Sequence, residues 1–327
     1  MNLEEISKFL KRNLPVLAIA LGGIVLALMI YTVLTNFLVD KGEQKFGRLE
    51  RPQIKNSLEA EVEYNVSNFK PDFPSLFKVY KIEGSLAPET LAPKLGFKGG
   101  PKEISGQKIW QTVRENFTSS KATFTYGSTQ KMGQRSLNEE QAKRKAIDTI
   151  QKLGLTDGSV LLEAVEINSL LLGGSHLTDP AKGQFFDTYA INLAAKLDNV
   201  YILNNLGSNS LYTLWVGVDG VVRKIQGPLQ TLKFTESTTY PLKNSSDLKK
   251  ELKQGKAKIV SLDNPIKPEQ KFNLTFTKAE LAYYLPSQDE DYLQPIYKID
   301  GLLYDGKTAI RLKALQEALK EGVFKKD

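Results

Sequence analysis

Residues 14–38 run LPVLAIALGGIVLALMIYTVLTNFL without one charged side chain. A hydrocarbon core about 30 Å thick takes about 20 helical residues at a rise of ~1.5 Å each, so this run is long enough to span a bilayer with some tilt. Asn13 can cap such a helix, and Pro15 falls in its first turn, where a missing N–H costs nothing. The run is longer than the apolar part of a cleaved signal peptide and ends in YTVLTNFLVD, not in small residues, so it is expected to stay attached. Lys8, Lys11 and Arg12 precede it and Lys41, Lys45, Arg48 and Arg51 follow. Long domains translocate largely regardless of charge, which makes the tail 1–13 the expected cytoplasmic side and everything beyond residue 38 extracytoplasmic. Ala18 and Gly22 put small residues one helical turn apart, a spacing through which two copies of the span can pack as a homodimer.

About 290 residues follow the run, enough for two or three folding units. Hydrophobic residues at 41% and charged residues at 25% are ordinary for a globular chain and argue against disorder. The formal charge is +7, and because Glu4, Glu5 and Asp40 cancel Lys8, Lys11 and Arg12, the surplus lies beyond residue 40. Such a domain favours anionic surroundings: lipid headgroups, acidic wall polymers or acidic proteins. With no cysteine, disulfides, thiolate metal sites and cysteine nucleophiles are excluded. A large exported domain without disulfides points to a bacterial envelope.

Residues 39–66 are charge-mixed without a stripe at 3.6 or 2.0 spacing and read as a juxtamembrane stalk. Beyond it the pattern predicts three lobes, each a short helix followed by strands, at 67–133, 134–234 and 235–327. The helices are expected at 88–95, at 137–153 behind a Ser136/Glu139 capping box, and at 246–254 with Asn244 or Ser245 as cap and Gly255 as stop. The first two share an ending, TLAPKLGF and TIQKLGL, with glycine where a helix stops in a left-handed residue. Strands are expected at 76–82, 107–113, 121–126, 160–167, 185–197, 211–218, 221–225, 256–260, 272–276, 281–285 and 293–299. Asp219-Gly220, Asp300-Gly301 and Asp305-Gly306 read as turns, and a strand passing into a terminal helix with Leu315, Ala318 and Leu319 as the end of the chain. Clustered hairpins with few helices give an α+β fold of antiparallel layers.

Candidate chemistry is sparse. His176 is the one histidine, and Ser175 and Asp179 are too near in sequence to complete a triad around it. Asp289, Glu290 and Asp291 lack calcium-loop spacing, and no phosphate-binding loop occurs, so no cofactor or metal is expected. Lys249, Lys250 and Lys253 make the third helix basic without interleaved aromatics, which suits an anionic surface and not nucleic acid. Tyr283, Tyr284, Tyr292 and Tyr297 are candidate interface anchors or buried sheet aromatics.

The segment VGVDGVVRKIQG at 216–227 resembles PepSY-type modules. TYPLKNSSDLKKELKQGKAKI, followed by AELAYYLPSQDEDYLQPIYKIDG, resembles membrane-anchored YycH/YycI-type proteins, whose ectodomains repeat PepSY-like lobes behind one N-terminal helix. The resemblance implies an extracytoplasmic accessory or regulatory role through contact with an envelope protein, in the YycI type a membrane histidine kinase, with no catalytic residues to carry over. The expected function is thus a single-pass, membrane-anchored binding protein and not an enzyme. A structural component of a secretion or surface assembly and a wall-polymer hydrolase are the alternatives.

Overall fold

Side chains that alternate between buried and exposed, rather than helical stripes, govern most of the chain beyond residue 60. The computed structural model describes residues 45–325 apart from 59–60, 68, 132, 135–136, 174–175, 181–184, 267–270, 287–289 and 305–307. Three short helices, α1 (Pro88–Lys94), α2 (Glu139–Leu153) and α3 (Ser245–Lys253), interrupt seventeen strands among the described residues. An antiparallel run begins with β3 (Lys102–Ile104), β4 (Gln107–Gln111), β5 (Glu115–Ser119) and β6 (Thr123–Ser128). It continues through β12 (Val222–Pro228) and β11 (Ser210–Gly217) to β9 (Thr188–Leu197). β9 also carries β7 (Leu161–Gly173), which folds back on β8 (His176–Thr178), and the hairpin strand β10 (Val200–Leu203).

β10 joins a second run in parallel, Ile202 and Leu203 pairing with Tyr283 and Tyr284 of β15 (Lys271–Tyr284). From β15 the sheet passes to β16 (Tyr292–Tyr304), β17 (Ala309–Glu317) and β14 (Lys258–Leu262). β1 (Glu61–Asn65) lies parallel to β15, and β2 (Leu76–Ile82) bridges β16 and β13 (Phe234–Pro241).

The large core holds Leu91, Phe117, Ile150, Leu193 and Leu214, with α2 laid across β7, β9 and β11. Ile202, Tyr283 and Leu293 belong to it, whereas their strand neighbours Leu203, Tyr284 and Ile296 belong to a second, smaller cluster with Val260 and Leu315.

The expected fold class is overturned. Strand pairing dominates: β10–β15 joins the two runs, and β6–β12, β2–β13 and β2–β16 pair segments assigned to different lobes, where tandem helix-plus-sheet lobes were expected. The reason is the length of the period-2 pattern: β17 buries Ile310, Leu312 and Ala314 between exposed Arg311 and Lys313, and continues to Glu317 where a terminal helix was expected. The strands expected at 272–276 and 281–285 are one strand carrying a bulge between Phe276 and Lys278. Asp300-Gly301 is not a turn but the middle of β16, since a Cβ at 301 would crowd Leu274 and Leu312. Asp219-Gly220 is a turn, with Gly220 at φ 82; Asp305-Gly306 falls outside the described residues.

Among the described residues no helix is long and apolar enough to cross a membrane. The span expected over 14–38, with Ala18 and Gly22, lies outside them.

Helix ends follow the sequence closely. Asn138 caps α2 in a reciprocal box with Gln141, two residues beyond Ser136, which lies outside the described residues; Asn244 does the same for α3 with Asp247. Gly96 and Gly154 are left-handed at φ 92 and 77, and Phe97 and Leu155 donate back to Ala92 and Ile150, so the shared ending is one capping motif used twice. The two ends also meet, because Lys94 Nζ donates to the Leu153 carbonyl at 2.8 Å.

Residues 48–57, expected in the stalk, are fastened to the C-terminal run. Leu49 bridges to Phe324. Arg51 pairs with Glu317 at 2.8 Å and with Glu321, its guanidinium 4.7 Å from the Phe324 ring centre. Gln294 Nε2 donates to the Glu50 carbonyl and the Tyr284 hydroxyl to that of Gln53.

Two measurements check this packing. Tyr283→Ala removes a fully buried ring from the junction of the two runs and is expected to cost about 3–5 kcal/mol in urea unfolding. Tyr212→Phe is expected to leave stability unchanged or raise it by about 1 kcal/mol, because the buried Tyr212 hydroxyl has no hydrogen-bond partner among the described residues.

Candidate binding groove

The β4–β5 connection is a tight, braced turn. Thr112 N donates to the Glu115 carbonyl at 2.8 Å, while Thr112 Oγ1 accepts from the amides of Arg114 and Glu115 at 3.3 and 3.0 Å. The Arg114 carbonyl in turn accepts from Thr129 N and Oγ1, fixing this arm to the segment after β6. Bracing the backbone on both sides leaves the Val113 side chain standing in solvent, 99% exposed.

Beside the turn lies a groove of about 760 Å³, lined by Gln111, Val113 and Arg114 of the turn and by Leu172 of the β7–β8 arm. Register sets its floor. Asn116, Gly127, Lys224, Trp215 and Ala190 occupy successive cross-strand positions on β5, β6, β12, β11 and β9. Trp215 faces outward because β11 alternates, burying Tyr212, Leu214 and Val216 and leaving Thr213 and Trp215 half-buried on the other side. Lys224 lies over its ring, Nζ 4.4 Å from the centre. Gly127 makes room for its neighbour: a Cβ there would run into the Asn116 amide oxygen.

Two charged groups in or beside the groove are already committed. Glu115 Oε1 accepts from the Tyr126 hydroxyl and Gln130 Nε2, both at 3.1 Å. Burial, aided by that carboxylate, pushes the Tyr126 hydroxyl up to about 12. Arg223 is bidentate to Asp219 at 2.9 and 2.7 Å, with side chains only 3% and 4% exposed. Gly217 is required beside them, since a side chain there would fill the space the guanidinium takes. Burial by itself would raise the Asp219 carboxyl, but Arg223 and the Gly133 and Val221 amides outweigh it and hold the group at about 2.

The structure places the sequence candidates elsewhere. Tyr283, Tyr284 and Tyr297 are buried, their rings pointing into the cores because period-2 alternation turns them inward, and Tyr297 donates to the Lys243 carbonyl at 2.6 Å. Tyr292 opens β16 half-buried. Lys250 and Lys253 are exposed on the outer face of α3 and Lys249 is half-buried, with no ion pair among the described residues. His176 is exposed at the start of β8, Ser175 and Asp289 lie outside the described residues, and Glu290 accepts from Gln53 N at 3.4 Å. No cluster of three metal-ligating side chains occurs among the described residues. The groove was missed because its parts come from strands far apart in sequence. Its one legible sign was the outward Trp215.

Asp219 makes the site's stability depend on pH. A carboxyl held at about 2, below its ordinary 3.8, contributes about 2 kcal/mol that is fully present above pH ~4 and lost as pH falls from there through ~2. Acid unfolding of Asp219→Asn is expected to lack this slope.

No family model matches the chain, and no curated protein matches it. Among solved structures, an uncharacterized protein from Eubacterium rectale is similar at 13% identity and TM-score 0.41, over 80% of this chain and 88% of its own. The C-terminal domain of YpeB from Bacillus megaterium is a weaker neighbour at 9% identity and TM-score 0.29, over 73% of this chain and 100% of its own.

Proposed function

We propose that the chain is a non-catalytic binding protein of the bacterial envelope, an accessory or regulatory subunit that holds a segment of another protein in the groove between the β4–β5 and β7–β8 arms. The observation that supports this most is Val113, a large apolar side chain kept in water by a braced turn, beside Leu172 and the half-buried Trp215. Keeping an apolar group exposed on a rigid arm costs hydration free energy that a partner's surface returns, and apolar anchors beside an aromatic residue are the usual centre of a protein contact. The YycH/YycI-type resemblance of 239–301 makes a membrane histidine kinase the first partner to test. A membrane-surface location rests on the sequence of 14–38, and fractionation of cell envelopes checks it.

The test is site-specific photocrosslinking in cells on the full chain. A crosslinker at Val113 and another at Leu172 are expected to give one adduct of the same mass, absent when the crosslinker stands at Lys253 on α3. Adducts spread over many masses, or the same adduct from all three sites, would remove the groove from the contact.

A further inference from the structure

The charges left uncommitted in the groove say what its occupant carries. Glu115 is engaged by Tyr126 and Gln130, and Arg223 is neutralised by Asp219. Lys224 and Arg114 have no carboxylate within ion-pair distance among the described residues, and both line the groove. Glu115 keeps its negative charge, because its partners are neutral, so Arg114 and Lys224 against Glu115 leave the groove with a net charge of +1 and with two cations free to meet a carboxylate, in a concave site where a counter-charge is worth more than on an open surface.

Lys224 is also held in place. Its ammonium sits 4.4 Å from the centre of the Trp215 ring, a cation–π contact that favours the charge lying over the floor and occupies the ring face on which a sugar would stack. Around it, the side-chain amides of Gln111 and Asn116, the Thr125 hydroxyl and the Trp215 indole N–H border the groove and have no side-chain hydrogen bond among the described residues. Val113 and Leu172 supply apolar surface from two separate arms. Cations on the floor, amide donors and acceptors beside them and apolar walls match an extended polypeptide, whose side chains alternate in direction and whose backbone needs both donors and acceptors.

We infer that the groove recognises an acidic, extended peptide segment, with carboxylates on Lys224 and Arg114 and an apolar side chain between Val113 and Leu172. This rests on the reading of the groove as a protein-binding site and names the chemistry of the segment it takes.

The chain has two tryptophans, and Trp110 is buried, so Trp110→Phe in the full-length protein leaves Trp215 as the only fluorescent reporter in the groove. The probes are a short peptide alternating glutamate and leucine, its lysine–leucine counterpart, and polygalacturonate as an acidic polymer without peptide groups. The glutamate peptide is expected to change Trp215 emission saturably, and more weakly as salt rises. Lys224→Gln weakens it roughly ten-fold, Lys224→Glu shifts preference to the lysine peptide, and Lys250→Gln on α3 changes nothing. Equal response to both peptides, or binding indifferent to Lys224→Gln, overturns the inference. So does a response to polygalacturonate alone, which makes the groove a polymer site. A discrete protein adduct at Val113 together with no acidic preference leaves protein binding standing and removes only the acidic specificity.

Discussion

The larger hydrophobic cluster and the smaller one beside it are kept in one body by the plainest property of a β-strand, that successive side chains point to opposite faces. At the β10–β15 junction, Ile202 and Tyr283 enter the larger core while Leu203 and Tyr284 enter the smaller. Leu293 and Ile296 divide the same way on β16. Neither core can be repacked there without moving the other. Tyr80 adds to the seam, its ring edge-on to Tyr283 at 5.7 Å and its hydroxyl donating to Asp198 at 2.5 Å. Around these few residues two antiparallel runs become one continuous sheet.

The groove inherits its rigidity from that sheet. Its floor is a cross-strand row whose spacing is set by hydrogen bonding, and its wall is a turn braced by Thr112 and by the Thr129 bonds to the Arg114 carbonyl. The buried Asp219–Arg223 pair sits at the β11–β12 turn, where the Gly133 amide also donates to Asp219 at 2.7 Å, tying the segment before α2 to the rim. A buried ion pair gives little net stability over apolar packing, but losing one partner is costly, so its effect is to specify this turn geometry. Preformed walls lower the ordering cost of binding.

Helix-stop signals and one of the turn signals survived into the structure, and the expected lobe boundaries did not. Asn244, Gly154 and Gly255 bound their helices as cap chemistry dictates, and Asp219-Gly220 turns where its dipeptide predicts. Asp300-Gly301 has the same two residues and is mid-strand, because Lys278 and Lys313 flank Asp300 across the ladder and the glycine admits Leu274 and Leu312. Composition cannot distinguish these cases; pairing partners can. The fold class failed for the same reason, since the pairings of β6 with β12 and of β10 with β15 join segments that periodicity treats as separate lobes. Tyr283, Tyr284 and Tyr297 were legible as strand aromatics, but which face they take depends on a register no single strand reveals. Val113 could not be foreseen, because it reads as the end of a strand and is the tip of a turn.

The fastening of residues 48–57 has a mechanical side. Load applied at Leu49 or Arg51 passes straight to Glu317, Glu321 and Phe324, the residues that both grip. Such a clasp shares force between segments far apart in sequence. None of its residues lines the groove, so a load carried there need not pass through the binding walls.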